Sequence, residues 1–204
     1  MVELLIASSN RGKIGEIRDI LSLEHVVLTD LNDIGFPDEI DENGKTFEEN
    51  ALIKARAVFS RYNRPVIADD SGLVVPYLNG EPGVRSARFA GNNATDNENN
   101  ELLLARLENA RGSEREAFFR CIAVFYAGPA QYHTVEGTVH GTVAHKPIGS
   151  GGFGYDPLFY VARYKKTMAQ LDSAEKNAIS HRGAAFSLLE KHIRSYIAGH
   201  DKVE

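Results

Sequence analysis

The chain has 204 residues, 43% of them hydrophobic and 25% charged, enough to bury a sizeable core in one domain, or in one domain with a modest lobe. The net charge is −5, with no basic tail and no block of Lys or Arg, which argues against polymeric nucleic acid as a partner. A single cysteine, Cys121, excludes an intrachain disulfide, and no apolar run approaches the ~20 residues that a membrane span needs.

Val2 to Ala7 is a short apolar run that predicts a buried strand. No basic leader precedes it and it is too short for a signal segment, so the expectation is a soluble cytoplasmic protein. Ser8-Ser9-Asn10 is a polar turn, followed by a helix with Ile14, Ile17, Ile20 and Leu21 on one face. A loop rich in Asp, Gly and Pro is expected over roughly 30 to 45. Thr46 and Glu49 have capping-box spacing, and the helix they open carries Ala51, Ala55, Val58 and Phe59.

Pro65 to Ala68 predicts a second strand, ending in Asp69-Asp70-Ser71-Gly72. The Gly- and Arg-rich stretch from Asn79 to Asn93 is expected to be loop. Thr95 and Glu98 form another capping box, before a helix with Leu102, Leu103 and Leu107. Ala117–Ala127 and Tyr132–Ala144 predict two long strands joined through Gly128-Pro129 as a hairpin. Lys146 to Pro157 is a Gly-rich loop, and a last helix runs from about Ala184 to Ile197. Strands alternating with helices place the chain in the α/β class, with no linker that would separate domains.

Several polar groups follow predicted strand ends, where α/β sheets usually bind ligands. Ser8, Ser9, Asn10, Arg11, Gly12 and Lys13 lead into a helix start, whose free N–H groups can hold an anion with Lys13 in reach. A Walker loop is excluded by Ala7 and Ile14, and a plain N-cap with a solvated Lys13 is the competing reading. Asp69 and Asp70 are costly side by side without a cation, which a hard divalent ion would supply; Glu42, Glu48 and Glu49 are further candidate carboxylates. An Asx turn closing the strand, with Gly72 at positive φ, is the alternative.

Gly149 to Gly154 matches a dinucleotide fingerprint in form only, because Tyr155-Asp156-Pro157 does not continue a helix. The loop instead offers Phe153 and Tyr155 for stacking on a base, unless both are core. Lys176-Asn177 and Ser180-His181-Arg182-Gly183 precede the last helix; His181 and Arg182 beside the helix start could donate to phosphate or base carbonyl oxygens, and capping by Ser180 with solvated charges is the competing reading. Neither HExxH nor CxxC occurs, which argues against a zinc hydrolase; Cys121 is expected in the core.

Together these segments resemble the inosine triphosphate pyrophosphatase, or Ham1-like, family. The motifs are Ser8-x-Asn10-x-x-Lys13-x-x-Glu16, Glu42-x-Gly44-x-Thr46-Phe47-x-x-Asn50-Ala51-x-x-Lys54-Ala55 and Ala68-Asp69-Asp70-Ser71-Gly72-Leu73. Next come Pro82-Gly83-Val84-x-Ser86-Ala87-Arg88-Phe89-Ala90-Gly91, Gly152-Phe153-Gly154-Tyr155-Asp156-Pro157 and Ser180-His181-Arg182-Gly183. They run in order through nearly the whole chain. Ser8 stands where many members carry Thr, and the hydroxyl is kept.

The resemblance implies an elongated α/β fold with a mixed, twisted sheet, two lobes and a central cleft, forming one catalytic domain over 1–204, usually as a homodimer. It implies Mg²⁺-dependent hydrolysis of ITP, dITP and XTP to the monophosphate and pyrophosphate. Ser8 to Lys13 would hold the phosphates. Glu42 and Asp70 would face the metal, with Asp70 also the proton acceptor, and Ser71 would touch substrate. Phe153, Gly154, Tyr155, Asp156, Lys176, His181 and Arg182 would surround the base and its neighbouring phosphate. Arg182, with donors only, would meet the C6 carbonyl of hypoxanthine or xanthine and reject adenine. The competing readings are a pyrophosphatase for other modified nucleotides and a non-catalytic nucleotide sensor.

Overall fold

The computed structural model describes residues 2–37 and 40–200; Asp38 and Glu39, in the expected 30–45 loop, lie outside the described residues. Its strands are β1 Val2–Ile6, β2 Val26–Asp30, β3 Val66–Val74, β4 Glu116–Tyr126, β5 Tyr132–Val143, β6 Phe159–Val161 and β7 Lys166–Thr167. Its α-helices are α1 Arg11–Ile20, α2 Phe47–Tyr62, α3 Asp96–Arg106, α4 Ser173–Ile179 and α5 His181–His200. The strands hydrogen-bond in the order β2-β1-β3-β4-β5-β6-β7. β1 pairs in parallel with β2 and β3, whereas β6 is antiparallel to β5 and β7, so the expected mixed α/β sheet is what forms. Among the described residues no helix is long and apolar enough to cross a membrane.

The chain divides into two compact units. The first comprises Met1–Asp70, Cys121–Gly137 and Arg182–Glu204. Its core packs Leu4, Ile6 and Ile67 of the parallel strands, Ile14 and Ile17 of α1, Cys121 and Phe125 of β4, and Phe186 and Leu189 of α5. Cys121 is therefore core, as its apolar surroundings in the sequence suggested. α1 forms where its isoleucine face predicts, capped by the Asn10 side chain, which accepts from the Lys13 N–H at 3.0 Å. α2 starts at its Thr46 cap, but the Glu49 carboxylate accepts from the Lys45 N–H at 2.6 Å rather than closing a box on Thr46.

The second unit comprises Ser71–Arg120 and Thr138–His181. Leu103 of α3, Leu107 at its C-cap, Phe119, Val143, Tyr155, Leu158 and Phe159 build its core. The Thr95–Glu98 box is complete, with both reciprocal bonds made.

Several expectations need correction. β3 does not stop at Ala68 but runs through Asp69-Asp70-Ser71-Gly72 to Val74, and Gly72 is not at positive φ. The edge strand β2 and the short helix α4 were not foreseen, and α5 begins at His181 rather than about Ala184. The stretch from Asn79 to Asn93 contains a 3₁₀ helix, Gly83–Arg88, instead of loop alone. The expected hairpin does form: β4 and β5 are neighbours, and Ala127 N–H donates to Gln131 C=O at 2.9 Å across the turn.

Candidate active site

In the first unit three elements place charged groups around the carboxylates of β3. Lys13, in the first turn of α1, reaches Asp69 Oδ2 at 3.2 Å. Arg182, in the first turn of α5, lies 3.5 Å from the same oxygen and also pairs with Glu16 of α1. Asp69 has a side-chain exposure of 0%, so its charge is held between two cations rather than left in an apolar strand. Burial opposes the Arg182 charge, but Asp69 and Glu16 outweigh it and hold its pKa further up than usual.

Asp70, the next residue, is served by α2. Lys54 Nζ lies 2.7 Å from Glu42 Oε2 and 3.7 Å from Asp70 Oδ1. Asn50 Nδ2 donates to Asp70 Oδ2 at 3.1 Å, while Asn50 Oδ1 accepts from the Gly44 N–H at 2.8 Å. A Cβ on residue 44 would fall 2.6 Å from Asn50 Oδ1, so only glycine permits this approach. The spacing of Glu42, Gly44, Asn50 and Lys54 thus has one physical cause: a loop and a helix turn folded onto Asp70.

Burial raises the Asp70 carboxyl above the ordinary range, against Lys54 and Lys13, with Glu42 pushing the same way. Lys54 is also raised: burial disfavours its ammonium, but Asp70, Glu42 and Asp69 prevail. The two shifts have different causes: burial dominates at Asp70, whereas at Lys54 the surrounding carboxylates overcome burial. Two carboxylates of hard oxygen suit Mg²⁺, which keeps waters and takes phosphate oxygens for its remaining positions. Among the described residues no group of three His, Cys, Asp or Glu side chains could hold a metal by itself. Glu48 and Glu49 are exposed in the first turn of α2.

Ser8 to Lys13 form the turn and start of α1. Ser8 Oγ accepts from the Asn10 N–H at 3.2 Å. Ser9, Asn10 and Arg11 are exposed and Gly12 and Lys13 half-buried. Lys13 is not a solvated side chain, because Asp69 holds it.

In the second unit the glycine run 149–154 leads into turns at 154–158 and then β6 rather than into a helix, in keeping with rejection of the dinucleotide fingerprint. Asp156 is buried, accepts from the Phe153 N–H at 2.9 Å and pairs with Lys176. Lys176 Nζ stands 4.7 Å from the centroid of the Phe153 ring, which is half-buried. Tyr155 is instead core: 4% exposed, its hydroxyl donating to Ser86 C=O at 2.9 Å, its pKa raised by burial and by Asp96. His181 is buried and stacks on Phe119 at 4.8 Å between centroids. Lys176, His181 and Arg182 are therefore not a solvated cap. Ser71 lies in β3, half-buried.

A model of the Ham1 family matches residues 4–192. The chain belongs to the Ham1 family. It is 48% identical over 195 residues to a protein of Geobacter sulfurreducens named dITP/XTP pyrophosphatase, covering 95% of this chain and 97% of that one. It is 47% identical over 191 residues to the Bacillus subtilis protein of the same name, covering 94% and 96%. Among solved structures it is similar to a Ham1 protein from Coxiella burnetii, with a TM-score of 0.86 and 41% identity over 96% of this chain and 100% of that one.

Two residues of this Ham1 site carry more than the sequence reading gave them. Lys54 and Asn50, to which motif spacing alone assigns no role, are both buried on α2 against Asp70. A signal was available: Lys54 sits in the apolar stripe with Ala51, Ala55 and Val58, where a charge is out of place unless it is paired.

Proposed function

We propose that this Ham1-family chain is a Mg²⁺-dependent nucleoside triphosphate pyrophosphatase that removes ITP, dITP and XTP. Water attacks at the α–β phosphoanhydride, and the products are the nucleoside monophosphate and pyrophosphate. The observation that carries this reading is the placement of Asp69 and Asp70 on one strand, ringed by Lys13, Lys54 and Glu42. The names of the relatives support the substrate class.

The barrier depends on neutralising the leaving pyrophosphate and on placing a water in line. Lys13 and the N–H groups at the start of α1 bind the phosphates, with Asp69 holding the Lys13 ammonium in place. Glu42 and Asp70 would hold Mg²⁺, which when bound supplies charge neutralisation and acidifies water. Asp70 orients the water and accepts its proton, and Asn50 and Lys54 fix the carboxylate for that task. Ser71 contacts substrate. Phe153 offers a ring face to the base, with Gly154, Tyr155 and Asp156 shaping the segment and Lys176 and His181 supplying donors. We assign the whole chain to one catalytic domain and place it in the cytoplasm as a homodimer.

Phosphorus NMR of ITP incubated with the purified protein and Mg²⁺ tests the reading. IMP and pyrophosphate are the expected products, with no turnover once the metal is chelated. IDP with orthophosphate, or no turnover at all, would overturn it. Light scattering after size exclusion tests the dimer.

A further inference from the structure

α3 opens beside the segment that carries Phe153. Its first residue, Asp96, accepts from the Gly154 N–H at 2.7 Å. One turn on, Asn100 Nδ2 donates to the Gly154 C=O at 3.0 Å. One peptide unit on either side of a single residue is therefore gripped by a single helix turn, and Gly154 has a φ of +60°, which glycine adopts without strain. The turn that grips it is itself fixed. Thr95 and Glu98 cap it reciprocally, and Asn99 donates to Ala87 C=O at 3.2 Å and accepts from the Ala90 N–H at 2.8 Å.

We propose that Asp96 and Asn100 are positioning residues for the base-recognition segment, clamping the Gly154 peptide so that the Phe153 ring is held in place before nucleotide arrives. The consequence for substrate rests on the function proposed above; the clamp itself does not. Phe153 is otherwise tied by its N–H to Asp156, and Asp156 to Lys176. Gly151 N–H donates to Ala169 C=O at 3.0 Å on one side of the ring and the Tyr155 hydroxyl to Ser86 C=O at 2.9 Å on the other, and the α3 clamp fixes the peptide directly after Phe153 between those anchors. The Gly154 N–H is already committed to Asp96, so it is the geometry of the segment, not this amide, that serves the base.

The two clamp residues differ in a useful way. Asn100 is 7% exposed and its Oδ1 is buried with no hydrogen-bond partner among the described residues. Asn100→Ala removes that unmet acceptor together with the donor, which limits its cost to the fold. Asp96 is exposed, and its carboxylate in the first helical turn is favoured by the helix dipole.

The test is hydrogen exchange across 150–157 in the nucleotide-free protein, paired with steady-state kinetics. Asn100→Ala and Asp96→Ala should each speed exchange there by roughly tenfold, the size expected for loss of one such bond. Asp96→Asn keeps an acceptor oxygen and should restore most of the protection. KM for ITP should rise by a similar factor with kcat little changed, while inhibition by pyrophosphate, which has no base, stays as in wild type. Unchanged exchange in the alanine variants overturns the clamp, and so does pyrophosphate inhibition weakening in step with KM. If Asn100→Ala does not fold, the Asp96 pair decides the same question at an exposed position. A wild-type protein inert toward ITP would sink the proposed function, yet the exchange comparison would still decide the clamp.

Discussion

Lys13 Nζ lies 3.2 Å from Asp69 Oδ2, so the cation assigned to phosphate is already oriented by a fully buried carboxylate. A lysine fixed in this way loses little side-chain entropy when a polyphosphate binds. Lys13→Ala should weaken triphosphate binding by roughly 10- to 100-fold, the range for one charge-assisted hydrogen bond. Monophosphate binding should suffer much less. Competition titrations with both ligands check this, and equal losses would place Lys13 away from the outer phosphates.

Asp70→Asn keeps shape and removes charge. Turnover of ITP should fall by ~10²–10⁴-fold, the usual contribution of a general base. The melting temperature should hold or rise, because a buried carboxylate is exchanged for a neutral amide that still reaches Asn50. A variant keeping more than about a tenth of wild-type kcat would remove Asp70 from the chemistry. Carbon NMR of the metal-free protein adds an independent check. Lys54 pulls the Asp70 pKa down, so Lys54→Met should move that titration to still higher pH.

How far the sequence could be read is clearest on β3. The isoleucine face of α1 and the caps at Asn10, Thr46 and Thr95 are local features, and they formed where spacing predicts. Asp69-Asp70 looked like the end of a strand because two charges do not belong inside one. They remain inside because Lys13, Lys54 and Arg182 arrive from three helices distant in sequence, and no local window contains that neutralisation. β2 has only five residues and α4 only seven, with Lys176 its one buried side chain, so neither shows a clear periodic stripe. For the site, the residue types were legible but not the pairings. Tyr155 and Phe153 look equivalent in sequence, and only packing separates a core ring from a half-exposed one.

His133 of β5 and His192 of α5 stack with centroids 4.0 Å apart. Burial lowers the His133 pKa, and the neighbouring His192 charge lowers it further. With the folded value below that of the open chain, the unfolded state binds its proton first as pH falls. The pair therefore costs nothing well above pH ~6.5 and disfavours folding as pH drops through the folded value. His133 is exposed, so the cost is small. His192→Gln should move the His133 titration upward in nitrogen-edited NMR; an unmoved curve would mean the two rings do not interact electrostatically.

Arg182 decides between two pictures of base choice. Its donors could read the C6 carbonyl of a deaminated purine and find no acceptor on adenine. That discrimination is worth about 1–3 kcal/mol, roughly a factor of ten or more against ATP. In the structure, however, the guanidinium is 1% exposed and its nitrogens face Glu16 and Asp69. For Arg182 to reach a base, one of these carboxylates would have to give it up, and a buried carboxylate without its cation is costly. We expect the ion pairs to persist. Arg182→Ala then removes the Glu16 ion pair and one of the two cations beside Asp69, and should cost about 3–5 kcal/mol of stability, lowering the melting temperature by about 10 °C. It should also loosen Asp69, and through it Lys13, so kcat/KM should fall for ITP and ATP by similar factors. Kinetics of both nucleotides with wild type and Arg182→Ala distinguish the pictures. A variant that melts normally and loses its preference for ITP over ATP would return Arg182 to the base.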